Sequence, residues 1–418
     1  MLGDWRAARS GSGENTDVND GPVIALVDGE HHPAAVRDTL ARLDRERSLA
    51  GVVFCGGGEK LGLEPLDVQY GRAVETDPEA GLRHLAARRD PPAVAVVDLA
   101  DEPVLPAGAK LRLAALALHL GLSYEMPGAS LDPPRYEPVA FAGPKLAVIG
   151  TGKRTGKTAV ADHWAGLLRA LGVDPVIVCM GRGGPAEPRM AEAGMGIADL
   201  LAIVEAGGHA ASDYLEGAVL AGVRTVGCRR VGGGLAGEPF ESNVPTGAAL
   251  AASLAPDAIL FEGSGACIPP VEVDRTVCIV GAGPPEPFAD YLVMRADLVL
   301  APEGAVAPPD AVPFSLQPEP AESLPDAARV ALFTTGAPPP LGVEPVVSSA
   351  NLARRTALLA DLDRAVAERC DVYLTELKAA AIDTVAVCAQ KEGARIVLVR
   401  NRPVGVDDAL VELYRGTA

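Results

Sequence analysis

The chain has 418 residues, 48% of them apolar and only 4% aromatic, which suits two or three soluble domains with ample core. Its formal charge of -18 argues against nucleic acid or an anionic membrane as the main partner. No apolar run reaches the roughly 18 residues of a membrane span, and no apolar signal segment opens the chain.

Residues 1–21 are polar and glycine-rich, and disorder is expected there. The first strand is Pro22–Val27, ending in Asp28-Gly-Glu-His-His32, with a helix from Pro33 to Leu43. Two further strands, Gly51–Cys55 and Ala93–Val97, end in Gly56-Gly-Gly-Glu-Lys60 and Asp98-Leu-Ala-Asp-Glu102. Strand and helix at this spacing predict a parallel, Rossmann-like α/β domain over 22–126. Ligands of such sheets bind beyond the carboxyl ends of the strands. A strand-end carboxylate can do no more than cap the next helix. Asp28, Glu30 and His31 crowd one strand end and are read as binding substrate. Residues 127–144 carry five prolines and read as a linker.

Lys145–Gly150 is a short apolar strand, followed by Thr151-Gly-Lys-Arg-Thr-Gly-Lys-Thr158 and an Ala-rich helix to about Leu171. Strand, glycine loop, Gly-Lys-Thr and helix make a phosphate cradle. Gly150, Gly152, Lys153, Arg154, Thr155, Gly156, Lys157 and Thr158 are the expected nucleotide-binding residues. Lys157, taken as an exposed loop lysine, reaches the β- and γ-phosphates, and the Thr158 hydroxyl holds Mg²⁺. A strict Walker pattern has Gly where this chain has Thr151, which resembles the dethiobiotin synthetase-like branch. A dinucleotide fingerprint from Gly150 competes, but its third glycine is missing at 155 and it does not call for Gly-Lys-Thr. An ordinary glycine turn is the plainest alternative.

Next comes the strand Val176–Met180, ending in Gly181-Arg-Gly-Gly-Pro185. A glycine nest with one Arg is a second anion site or a plain loop. Arg224, Arg229 and Arg230 stand beside Gly232-Gly-Gly234 and suit a polyanion or a solvated turn. Asp257–Glu262 is an apolar strand that delivers Glu262 to the position expected of a Mg²⁺ ligand. Strands follow at 277–283, 298–300 and 330–334, with 301–327 Pro-rich and irregular and a helix over 351–367. Two strands, 384–388 and 396–399, then a turn at Asn401-Arg-Pro403, close the reading. The P-loop domain, doubly wound, with a C-terminal extension, is expected to run from 145 to 418. The seven Cys include no C-x-x-C pair, and they read as reduced thiols of a cytoplasmic protein.

Taken together, Val27-Asp-Gly-Glu-His31, Gly57-Gly-Glu-Lys60, the loop 150–158, Met180-Gly-Arg-Gly-Gly-Pro185, Gly208-His-Ala-Ala-Ser-Asp-Tyr-Leu215, Phe261-Glu-Gly-Ser-Gly265 and Leu377-Lys-Ala-Ala-Ala-Ile382 resemble the cyclic 2,3-diphosphoglycerate synthetase family from about residue 22 onward. The resemblance implies ATP- and Mg²⁺-dependent closure of 2,3-bisphosphoglycerate into its cyclic pyrophosphate, with ADP and phosphate released. It adds His209 and Lys378 to the substrate-binding set. Lys157, Lys153, Arg182 and Glu262 are the expected catalytic residues, and Thr158 with Glu262 the metal ligands. A homo-oligomer, taken as a dimer, is the expected assembly. A small-molecule kinase and a nucleotide-driven switch or chaperone are the competing functions.

Overall fold

A computed structural model describes residues 21–88, 90–337 and 339–417. The polar segment expected to be disordered lies almost wholly outside them. The chain divides into two compact units, 1–133 and 134–418.

The first unit is a six-stranded sheet of β1 (Val23–Val27), β2 (Leu49–Phe54), β3 (Val74–Glu75), β4 (Ala95–Asp98), β5 (Ser123–Met126) and β6 (Ala129–Leu131). Its order is β3-β2-β1-β4-β5-β6. All neighbours are parallel except β5 and β6. Strand β1 is buried along its whole length, which is why it reads as an unbroken apolar run. Strand β6 falls inside the stretch read as linker. It is only three residues long and half exposed, so it lacks the apolar alternation that would mark it.

The second unit is a 13-stranded sheet. Its strands are β7 (Lys145–Gly150), β8 (Pro175–Gly181), β9 (Arg189–Ala191), β10 (Arg224–Val231), β11 (Glu241–Ser242), β12 (Ala258–Glu262), β13 (Arg275–Ile279), β14 (Leu298–Pro302), β15 (Val312–Pro320), β16 (Val330–Phe333), β17 (Val347–Ser349), β18 (Val372–Glu376) and β19 (Arg395–Val404). The order is β11-β10-β8-β12-β7-β13-β14-β15-β19-β18-β16-β17, with β9 beside β10. The middle strands β10-β8-β12-β7-β13-β14 are mutually parallel. Helix Lys157–Ala170 buries Val160, Ala161, Trp164 and Leu168 against Ile177 and Cys179 on one face. Helix Val244–Ser253 brings Gly247 against Val178 and Val226 on the other. Helices on both faces of a parallel sheet make the doubly wound architecture.

Three local expectations fail. Residues 312–320, expected to be irregular, form β15, which pairs with β14 through Val312–Phe314 and with β19 through Ser315–Pro320. Of its three prolines, Pro318 and Pro320 lie two apart and remove donors from the same edge, while Pro313 lies in the segment paired with β14. Residues 384–388 are helical, within turns spanning Ala381–Ala386 and Val387–Glu392. Their apolar side chains bury at 381, 382, 385, 386 and 389, a helical spacing that a short apolar run conceals. Asn401-Arg-Pro403 is strand, not turn, because it pairs with Gln317, Leu316 and Pro318 of β15.

Candidate active site

Strand β7 ends at Gly150, where a Cβ would stand 2.6 Å from Thr155 Oγ1 and 2.9 Å from Ile279 O; no other residue fits. Thr151, the departure from the strict pattern, receives Gly281 N–H on its hydroxyl at 2.9 Å and donates its own N–H to Ile279 O at 3.1 Å. It fastens the loop to the end of β13. Arg154 and Gly156 take left-handed φ values of 59° and 96°, conformations that curl a loop around an anion. Lys157 is buried, only 7% exposed, which corrects the expectation of an exposed lysine. Its ammonium donates to Gly152 O at 2.7 Å and Thr155 Oγ1 at 3.3 Å. Burial lowers its pKa, and Glu262 opposes the shift. Lys153 and Arg154 are exposed and border the same cleft.

Glu262 ends β12 beside the first turn of the helix that follows the loop. It accepts the Thr158 hydroxyl at 2.5 Å. Asp257, at the other end of β12, accepts from Asp174 N and takes no part. Burial pushes Glu262 up to about 8, with Asp213 adding to the rise, while Thr158 and Lys157 pull it down. Glu216 is likewise raised to about 7 by burial, and Asp162 is raised by burial and by Glu216. All four carboxylates border one cleft of about 1050 Å³ that also holds residues 153–159. Such a wall favours a cation. Among the described residues no group of three or more ligating side chains is arranged to hold a metal ion. Mg²⁺ keeps waters and leans on substrate phosphates plus one or two protein oxygens. The residues present fit it: the Thr158 hydroxyl and the Glu262 carboxylate lie side by side and would hold it.

Arg182, at the end of β8, borders this cleft and also a second pocket of about 330 Å³. His209, the glycines 181, 183 and 184, and Ser212 line that pocket. Among the described residues Arg182 forms no ion pair. Gly265, at φ 65°, lets Arg182 in: a Cβ there would lie 2.3 Å from its guanidinium. Lys378 borders the large cleft from beyond β18.

The three other arginines part company. Arg224 sits at the amino end of β10, paired with Asp174 at 2.5 Å and bonded to Leu254 O. Seven strand residues, about 23 Å, separate that end from the carboxyl edge. Arg229 is held near Glu241 at 3.5 Å. Arg230 is buried and bonds Gly232 O and Ser264 O, so it props the loop after β12.

In the first unit Asp28 is fully buried. Its carboxylate accepts from Glu30 N, His31 N, His31 Nδ1 and Asp101 N at 3.0, 3.2, 2.8 and 2.5 Å. Burial would raise its pKa, but these bonds win and hold it low. Asp28 therefore has no oxygen to offer a ligand, and it organises the loop instead. Glu30 pairs with Lys60. His31, bound to Asp28 through Nδ1 and with 43% of its side chain exposed, is one group there able to meet one.

Asp162 and Glu216 were not singled out from the sequence, and Asp213 stood there only within the motif 208–215. Thr158 and Asp162 stand four apart on one helix face, the signal that could have found the first.

Family models match three stretches. They are described as the cyclic 2,3-diphosphoglycerate synthetase N-terminal domain at 22–131, its P-loop domain at 145–302 and its C-terminal domain at 339–402. Relatives bearing the name cyclic 2,3-diphosphoglycerate synthetase align nearly end to end. That of Rubrobacter xylanophilus is 42% identical over 94% of this chain and 97% of its own. Those of Thermococcus gammatolerans and Methanothermus fervidus are 36% and 33% identical, over 92% and 94% of this chain and 94% and 96% of theirs. No helix among the described residues is long and apolar enough to cross a membrane.

Proposed function

The chain belongs to the cyclic 2,3-diphosphoglycerate synthetase family, and from that membership we propose that it uses ATP to close 2,3-bisphosphoglycerate into its cyclic pyrophosphate. The observation that carries the reading is Arg182, without an ion pair among the described residues, on the wall shared by the nucleotide cleft and a second polar pocket. The γ-phosphoryl group passes to one phosphate of the substrate, breaking the β–γ bridge and releasing ADP. An oxygen of the other phosphate then attacks that activated phosphorus. A P–O–P ring forms and inorganic phosphate leaves.

Every species in this sequence is an anion, so the protein's task is to gather negative charges and hold them aligned. Lys157 meets the triphosphate from inside the loop. Arg182 neutralises the substrate phosphate nearest the γ-position. Lys153, Arg154, His209 and Lys378 are proposed to add positive charge or hydrogen bonds. Glu262 orients the Thr158 hydroxyl and keeps its own carboxylate next to it. When bound there, Mg²⁺ draws electron density from the phosphate oxygens and offsets the charge of the crowded carboxylates.

Phosphorus NMR of the protein with ATP, Mg²⁺ and 2,3-bisphosphoglycerate should show one cyclic pyrophosphate per ADP and per phosphate. Without the glycerate substrate, ADP release should be slow. A linear phosphoanhydride as the end product would make the protein a kinase. Unstimulated ATP hydrolysis would favour a nucleotide-driven switch. In the same assay Arg182→Ala should raise KM for the glycerate substrate about tenfold or more, with KM for ATP moving less. Equal rises for both would place Arg182 on the nucleotide instead.

A further inference from the structure

Part of the wall of the large cleft comes from β15 and β19, far from the loop in sequence. Leu316 faces Pro403 across the two strands, and Pro318 faces Asn401. Side chains directly opposite in an antiparallel pair share a face, and that face repeats every second residue. Leu316, Pro318, Asn401 and Pro403 therefore lie on one face. Gly156 fixes where that face looks, since a Cβ there would stand 3.0 Å from Leu316 Cδ1. Arg400 and Arg402 of the opposite face also border the cleft, but their charges are engaged on their own face. Arg400 and Arg402 pair with Glu319 at 2.7 and 3.2 Å, and Arg402 also bonds Gln317. Among the described residues the Asn401 side chain makes no hydrogen bond, although Leu316, Asn401 and Pro403 all border the cleft.

We infer that this face is the base subsite and that Asn401 reads the edge of a 6-aminopurine. The inference rests on the reading of the cleft as an ATP site. An apolar surface bearing one amide suits a flat heterocycle whose edge sets a donor beside an acceptor. Adenine has such an edge, and an Asn amide matches it with one acceptor and one donor. Leu316 and Pro403 supply the surface against which the ring lies. Guanine sets two donors side by side on its Watson–Crick edge, which an amide matches poorly and a carboxylate well.

Asn401→Ala should raise KM for ATP about tenfold with kcat little changed. Its affinity for inorganic tripolyphosphate, which has no base, should stay at the wild-type value by calorimetry. Asn401→Asp should shift the ratio of kcat/KM for GTP over ATP upward by about tenfold or more. A residue that merely supported the strand would weaken ATP and tripolyphosphate together and would not alter base preference. That result, or an unchanged KM for ATP in Asn401→Ala, overturns the inference. ATP turnover that does not depend on Lys157 would instead overturn the ATP reading, so the two failures are distinguishable.

Discussion

Lys157→Ala should lower turnover at least about 1,000-fold, a loss of about 4 kcal/mol of transition-state stabilisation. The ammonium is the one positive charge buried within the loop itself, where neighbouring water does little to screen it. Its removal should not unfold the protein. Burial works against the charged form, and the side chain's hydrogen bonds are confined to Gly152 O and Thr155 Oγ1 of its own loop. The change in stability should stay within about 1 kcal/mol. ADP release measured beside a denaturant titration checks both halves. A folded variant that turns ATP over at near the normal rate would move the triphosphate to another part of the chain.

Glu262→Gln should cost roughly 100- to 1,000-fold in rate, with partial recovery at higher Mg²⁺. The glutamine keeps the shape and can still meet the Thr158 hydroxyl, so the loss isolates the charge. The pH dependence has a definite sign. Glu262 has its pKa raised from 4.5 to about 8, so the folded protein holds a proton there that the unfolded chain has lost. Stability of the ligand-free protein should therefore fall as pH rises through that window, and the Gln variant should respond less. A bound cation favours the carboxylate. Mg²⁺–nucleotide binding at pH 7 should then release on the order of one proton, with Glu216, at about 7, adding a fraction. Calorimetry in buffers of different ionisation enthalpy counts those protons. Equal release from wild type and variant would assign the titrating group elsewhere.

The nucleotide loop was legible because everything that defines it is local. An apolar run changes to helical spacing across a few glycines, and each residue's role follows from its place in that transition. The place of Glu262 was legible for a related reason, since the last residue of a parallel strand lies at the sheet's carboxyl edge. Arg224 shows where this reasoning stops. Composition placed three arginines together, but a strand separates its ends, and only register tells which end a residue occupies. Asp28 failed differently. Its position at a strand end was read correctly, yet its oxygens were already spoken for by backbone N–H groups that no pattern of residue types reveals. The wall made by β15 and β19 was hidden by distance along the chain. It exists only because β15 changes partners midway, from β14 to β19.

That change of partners has a consequence for how the protein is made. Strand β19 follows β16, β17 and β18 in the chain, yet it lies between β15 and β18. A chain still emerging from the ribosome can assemble the phosphate loop early, but β16, β17 and β18, which pair with one another, have no link to β15 until residues 395–404 appear. The wall facing Gly156 is thus the last piece of the cleft to be built, and a nascent chain carries the phosphate loop without its completed partner. The same topology means that the stretch 339–402 cannot be exchanged between relatives as a detachable module. Its final strand is stitched by backbone hydrogen bonds to β15, which lies before it, so any graft must carry both strands across together.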